Sequence, residues 1–157
     1  VTQDFRTTSD RGVYGVRATA LIVKDDQIFL CHDEQGKHYT IGGAIEVGET
    51  TEEAVCREVL EEIGIAVKVD ALAFVVENQF CQDSVNYHNI EFHYLVTPNA
   101  PLEELSQHIL DSHQKLSCRW VPLVDLEKLS VVPDFLKTEL LNWNGATKHI
   151  VIMEKEN

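Results

Sequence analysis

Gly43-Ala-Ile-Glu-Val-Gly-Glu-Thr-Thr-Glu-Glu-Ala-Val-Cys-Arg-Glu-Val-Leu-Glu-Glu-Ile-Gly-Ile65 is the stretch on which the reading of this chain turns. Glu49-Thr50-Thr51-Glu52-Glu53 has the form of a helix start, with acids in the first turn where the helix dipole favours them. Gly64 supplies a stop, because glycine adopts the left-handed backbone that closes a helix without penalty. The stretch therefore predicts a helix running to about Ile63. At about 100° per residue, Val55, Val59, Ile63, Cys56 and Leu60 fall within an arc of roughly 140°, and that side is expected to face the core. Glu58, Glu61 and Glu62 share a separate arc of about 100°, with only Ala54 among them and Arg57 beside Glu61. Like charges at these spacings cost a few tenths of a kcal/mol per pair, so helix propensity does not explain the arrangement. Something positive should occupy that edge. Hard carboxylate oxygens at this density suit Mg²⁺ or Mn²⁺, and the plain alternative is a solvated acidic face.

Spacing decides between the two. The stretch matches G-x5-E-x7-R-E-U-x-E-E-x-G-U, with U aliphatic, at all nine specified positions over 23 residues. The chain thereby resembles the Nudix hydrolase family, whose signature this is. Cys118-Arg-Trp-Val-Pro-Leu-Val-Asp-Leu126 and the strands before the box also resemble their counterparts in small members. The resemblance implies an α/β (α+β) fold, an α/β/α sandwich with a mixed sheet, and one such domain over residues 1–157. It implies Glu58 and Glu62 as main ligands of Mg²⁺, with Mn²⁺ as substitute. Glu61 would contribute directly or through water, and the Gly42 carbonyl is a further ligand. Glu49 and Arg57 match positions that form an ion pair, which gives Arg57 an orienting role. Gly43, Gly48 and Gly64 serve backbone geometry. The implied reaction is hydrolysis of a phosphoanhydride in a nucleoside diphosphate derivative, with a (d)NTP or modified nucleotide foremost. A nucleotide-sugar or other dinucleotide diphosphatase, or a non-catalytic ligand sensor, stands as the alternative. Glu61 is the first choice of general base and Glu91 the second. The marker residues of ADP-ribose and diadenosine polyphosphate hydrolases are missing at Phe80-Cys81-Gln82, as are the blocks of NADH and coenzyme A hydrolases.

Bulk properties limit the partners. Thirteen Lys and Arg against 26 Asp and Glu give a formal charge of −13, which repels a nucleic-acid polymer or an anionic membrane at long range. A small phosphorylated nucleotide remains compatible once cations neutralise the acidic cluster. Apolar residues at 44% and charged ones at 25% are ordinary for a globular domain. No apolar run approaches a membrane span and no basic n-region opens the chain, so a cytoplasmic location is the expectation. Cys31, Cys56, Cys81 and Cys118 are widely spaced and are expected to be free thiols. Homodimerisation is implied only by analogy with small family members.

Outside the box, Val13 to Val23 and Gln27 to Cys31 predict a hairpin about Lys24-Asp25-Asp26, and His38 to Ile41 another strand. Ile65 to Phe80 predicts two strand-like runs. His88 to Val96 alternates Ile90, Phe92, Tyr94 and Val96 against Asn89, Glu91 and His93, the pattern of a half-buried strand. Pro98 to Gln114 is expected to be a loop with a short helical piece. Cys118 to Val121 predicts a strand, Val124 to Leu129 and Pro133 to Leu141 short helices, and His149 to Met153 a last strand. Arg17 lies in an otherwise apolar strand and needs an anion, either a substrate phosphate or a structural carboxylate. Phe80 and Tyr94 could stack on a base or belong to the core. His88 and His93 lack metal-ligand spacing, Glu91 reads equally as a surface strand carboxylate, and Asp111, Ser112 and His113 form no triad.

Overall fold

The computed structural model describes residues 1–102, 105–110 and 114–154, so Asp111, Ser112 and His113 lie outside the described residues. The strands are β1 (Arg6–Ser9), β2 (Gly12–Lys24), β3 (Gln27–His32), β4 (Lys37–Tyr39) and β5 (Ile41–Ala44), followed by helix α1 (Thr51–Ile63). Then come β6 (Val67–Gln82), β7 (Val85–Pro98), β8 (Leu105–Leu110), β9 (Gln114–Pro122), a 3-10 turn at Leu123–Lys128, β10 (Ser130–Val132), helix α2 (Leu136–Glu139) and β11 (Lys148–Met153).

The strands form one mixed sheet in the order β10-β4-β3-β2-β7-β6-β11, with β1 and β5 also on β2 and β8 and β9 branching from β3. Three pairs are parallel: β2 with β7, β6 with β11, and β4 with β10. Strand β2 is the hub because it is long enough to pair with β1, β3, β5 and β7. Its Arg17–Ala20 segment meets β5, while Val23 and Lys24 turn back onto β3. That hairpin closes through Asp25 and Asp26 at φ 52° and 60°, a left-handed pair that matches strand twist and that aspartate tolerates.

Alternation along β2 builds two cores. Ala18, Ala20 and Ile22 face α1 with Phe29, Val55 and Val59, whereas Leu21 joins Leu30, Phe74, Val76, Leu136 and Leu140 on the α2 side. Helices on both faces of a mixed sheet give the expected α/β/α layering. Among the described residues no helix is long and apolar enough to cross a membrane.

The structure departs from expectation at five places. Val67–Gln82 is one strand, bent at register shifts near Ala71 and Phe74 that let it stay paired over its length. Part of the expected loop after Pro98 is strand β8, paired with β9. Strand β7 is covered on both faces, because Phe135 packs on His93 on one side and Phe92 packs against the α1-side core on the other; Asn89, Glu91 and His93 are buried, not solvated. Leu60 is 55% exposed, since α1 turns Ala54, Val55 and Val59 inward. Finally, Cys31 and Cys118 are not free: they oppose each other on antiparallel β3 and β9 and form a disulfide, leaving Cys56 and Cys81 as thiols. A separation of 87 residues hides that pairing from any spacing rule.

Candidate active site

The helix is set by its ends. Thr50 caps it in a reciprocal box with Glu53, and Gly64, at φ 72°, donates its N–H to the Leu60 carbonyl. The loop before the helix is pinned where the Glu46 N–H donates to Glu49 Oε1 at 2.9 Å.

Arg57 is the hub of the acidic edge. Its Nε donates to Glu49 Oε2 at 2.7 Å and its Nη2 to Glu49 Oε1 at 2.9 Å, a bidentate pair. Nη2 also reaches the Ala44 carbonyl at 3.2 Å, tying helix to β5. Nη1 bridges Glu58 Oε1 at 3.0 Å and Glu61 Oε2 at 3.1 Å. The Arg57 bonds hold the Glu49 carboxyl below its usual range, and Glu49 in turn raises the guanidinium. Burial pushes Glu58 up, against the opposing charge of Arg57.

Close backbone approach lets Glu58 sit inward. A Cβ on Gly43 would lie 2.7 Å from Glu58 Oε1, and one on Gly42 would lie 2.4 Å from the Ala18 carbonyl oxygen. A side chain at Gly42 would push β5 away from β2, and one at Gly43 would displace the Glu58 carboxylate.

Glu58 and Glu62 line one cavity of about 280 Å³ together with Gly42, Gly43, Arg17, Arg6 and Tyr39. Of the residues singled out in the sequence, Gly42, Glu58, Glu62 and Arg17 therefore meet at one place. Glu49 and Arg57 stand behind it as a brace, and Glu61, with its side chain 58% exposed, stands at the solvent edge on Arg57. Phe80 lies elsewhere, stacked on Tyr87 with ring centroids 4.8 Å apart. Tyr94 is core, its hydroxyl 2.6 Å from Thr51 Oγ1. Asp4, Arg6 and Tyr39, which also border the cavity, escape a sequence reading because no pattern of spacing marks them.

A second polar group lies beside Arg17. Glu91 Oε1 accepts from His93 Nε2 at 2.9 Å and Oε2 from Asn78 Nδ2 at 3.1 Å. Burial raises the Glu91 carboxyl, but those bonds and the nearby charge of Arg17 outweigh it and hold it below the usual range.

The NUDIX domain model matches residues 13–139. The NAD-capped RNA hydrolases NudC of Escherichia coli K12 and Klebsiella pneumoniae are each 50% identical over 50 residues, 30% of this chain and 20% of theirs. The chain thus spans about a fifth of the length of these curated relatives. A mutator MutT protein from Bacillus halodurans superposes with a TM-score of 0.64 at 22% identity, over 85% of this chain and 88% of that one. An ADP-ribose pyrophosphatase from Streptococcus suis gives 0.58 at 16%, over 85% and 97% of the two chains. A NUDIX hydrolase from Nitrosomonas europaea gives 0.62 at 14%, over 97% and 81%. Identities this low speak for the fold alone. The family match runs from β2 to α2 and takes in the whole acidic helix, and with it the chain belongs to the Nudix hydrolase family, whose members use divalent metal ions.

Proposed function

We propose that this chain is a Mg²⁺-dependent hydrolase of a phosphoanhydride bond in a small nucleoside diphosphate derivative, foremost a (d)NTP or modified nucleotide from which it releases a monophosphate. The observation that carries this reading is one cavity lined by three carboxylates, Glu58 and Glu62 of the helix with Asp4, and by two guanidinium side chains, Arg17 and Arg6. Arginine is suited to phosphate oxygens, and clustered carboxylates are not unless a cation intervenes.

The donor set fits such a cation. Glu58 and Glu62 border the glycine backbone at Gly42 and Gly43, in a cradle that a Cβ would fill. Among the described residues no group of three or more His, Cys, Asp or Glu side chains is placed to hold a metal ion, so Glu58 and Glu62 would hold it with backbone, water and substrate oxygens completing its shell. Glu58, Glu62 and the Gly42 carbonyl would hold Mg²⁺, with Mn²⁺ as substitute and Glu61 contributing from the edge. Bound there, the ion supplies neutralisation of phosphate charge and a lowered pKa for water.

The chain's own groups do the remaining work. Arg17 binds and orients phosphate from the sheet. Glu49 holds Arg57, and Arg57 aligns Glu58 and Glu61. Glu61, being exposed, takes the proton from the attacking water. Phe80, set apart with Tyr87, contributes only if the base extends along the β6–β7 hairpin.

The test is a panel of dNTPs, oxidised dNTPs, a nucleotide sugar, ADP-ribose and NAD with Mg²⁺, followed by phosphate and pyrophosphate release. Turnover of at least one compound, lost in both Glu58→Gln and Glu62→Gln, is the expected result. Activity that survives in both variants removes the metal site, and no turnover on any compound favours a ligand sensor.

A further inference from the structure

Arg17 and Glu91 are register partners on the parallel strands β2 and β7, so their side chains leave the sheet on the same face. Arg17 lines the cavity, but Glu91 does not. Glu91 is 6% exposed and engaged at both oxygens, one with His93 Nε2 and one with the Asn78 amide, which fixes its orientation. His93 cannot swing aside: it is 1% exposed, with its ring edge-on to Phe135 at 5.3 Å. A buried carboxylate is costly unless a cation faces it, and Arg17 is the cation on the neighbouring strand. Among the described residues no ion pair within 4.0 Å joins the two. The guanidinium instead lies where its charge acts on Glu91 and, across the cavity, on Glu58.

We propose that Asn78, Glu91 and His93 form a positioning relay that fixes a negative charge behind Arg17 and so aims its guanidinium at a substrate phosphate. Glu91 is then a positioning residue. It does not serve as the general base, since both of its oxygens are already engaged and it is buried, whereas Glu61 is exposed. This inference rests on the proposed hydrolase reading for its choice of substrate, and it assigns the phosphate contact within that site to strand β2 and not to the acidic helix.

The experiment is a double-mutant cycle on the full chain. Glu91→Gln keeps size and loses charge; it is expected to raise KM for the best nucleotide about tenfold, the size of one charge-assisted contact, while kcat changes less than about threefold. In an Arg17→Ala background Glu91→Gln should change KM no further. Asn78→Ala, which removes a single donor from a half-buried side chain, should shift KM in the same direction by less and keeps the test open if Glu91→Gln folds poorly. Calorimetric binding of inorganic pyrophosphate with Mg²⁺ is run in parallel. It reads the relay even if no nucleotide is turned over, so that failure of the hydrolase reading and failure of the relay are distinct results. A fall in kcat of about a hundredfold with KM unchanged would make Glu91 the base and overturn the relay. Effects of Glu91→Gln and Arg17→Ala that simply add, or a KM that falls, would overturn it too.

Discussion

Two clusters of charge, one reaching the cavity through Glu58 and one beside Arg17 on the neighbouring strand, are built in opposite ways. The Arg57 cluster belongs to one loop and one helix; its contacts span at most 13 residues, and its outer member Glu61 reaches solvent. The Glu91 cluster belongs to strands paired in mid-sheet, with His93 and Glu91 both buried. In the first, one cation holds several anions, and the cluster retains carboxylates for further ligands. In the second, two partners hold one buried carboxylate, one at each oxygen, and keep it away from solvent. The difference teaches that charge on the helix is there to be used, whereas charge on β7 is there to be held.

Substitutions should separate the two by readout. The largest effect is expected at Glu58→Gln, which removes one cavity carboxylate and should lower kcat/KM by about 10²–10³-fold. Melting should be little changed, since a half-buried charge is lost along with its bond to Arg57. Steady-state kinetics beside a thermal melt checks this, and a variant that is chiefly unstable would erase the distinction drawn between the clusters.

His93→Leu should show the converse. It leaves the buried Glu91 carboxylate with one donor in place of two, and a loss of about 3 kcal/mol in urea unfolding is expected. If His93→Leu unfolds as the parent does, Glu91 is not held by that bond.

Acid titration gives a smaller and directional effect. Glu49 lies below its ordinary value of 4.5 because Arg57 donates to it. A carboxyl depressed in the folded state stabilises above its unfolded value, and that contribution disappears as pH falls through the folded one. The advantage of the parent over Glu49→Gln should therefore be full at neutral pH and shrink only below about 4.5. Unfolding curves at a series of pH values check it; an advantage that stays constant into strong acid would mean that the bond to Arg57 contributes no proton-linked stability.

Legibility follows the same division. The pairing of Glu49 with Arg57 follows from the family resemblance of the box, while the helix and its stop at Gly64 are readable because local spacing dictates them. The hairpin at Asp25 and Asp26 is readable for the same reason. Strand β7 misleads because alternation of polar and apolar residues implies one wet face, and only the packing of Phe135 on His93 reveals that the polar face is covered too. The role of Arg17 divides similarly: that an arginine in an apolar strand needs an anion is a matter of solvation, but which anion depends on the register of β2 against β7. The Cys31–Cys118 bond, like Arg6 and Tyr39 at the cavity, depends on strand pairing that no local pattern encodes.

Leu60 is the smallest and sharpest case, because it lies on the readable helix and was still misplaced. Its apolar arc is centred between Val55 and Leu60, yet the buried side is turned roughly a fifth of a turn toward Ala54 and Glu58. Had the apolar arc alone set the rotation, Leu60 would be covered and Glu58 would point to water. Bare glycine at position 43 and small alanine at position 54 permit the other rotation, which carries Glu58 to the sheet. Exposure of Leu60 is thus the counterpart of placing a carboxylate in the cavity. Leu60→Ala should accordingly alter stability by no more than about 0.5 kcal/mol, whereas Val59→Ala, at a fully buried site on the same turn, should cost about 2 kcal/mol. Equal losses for the two in urea unfolding would restore the apolar arc as the packed face and take Glu58 out of the cavity.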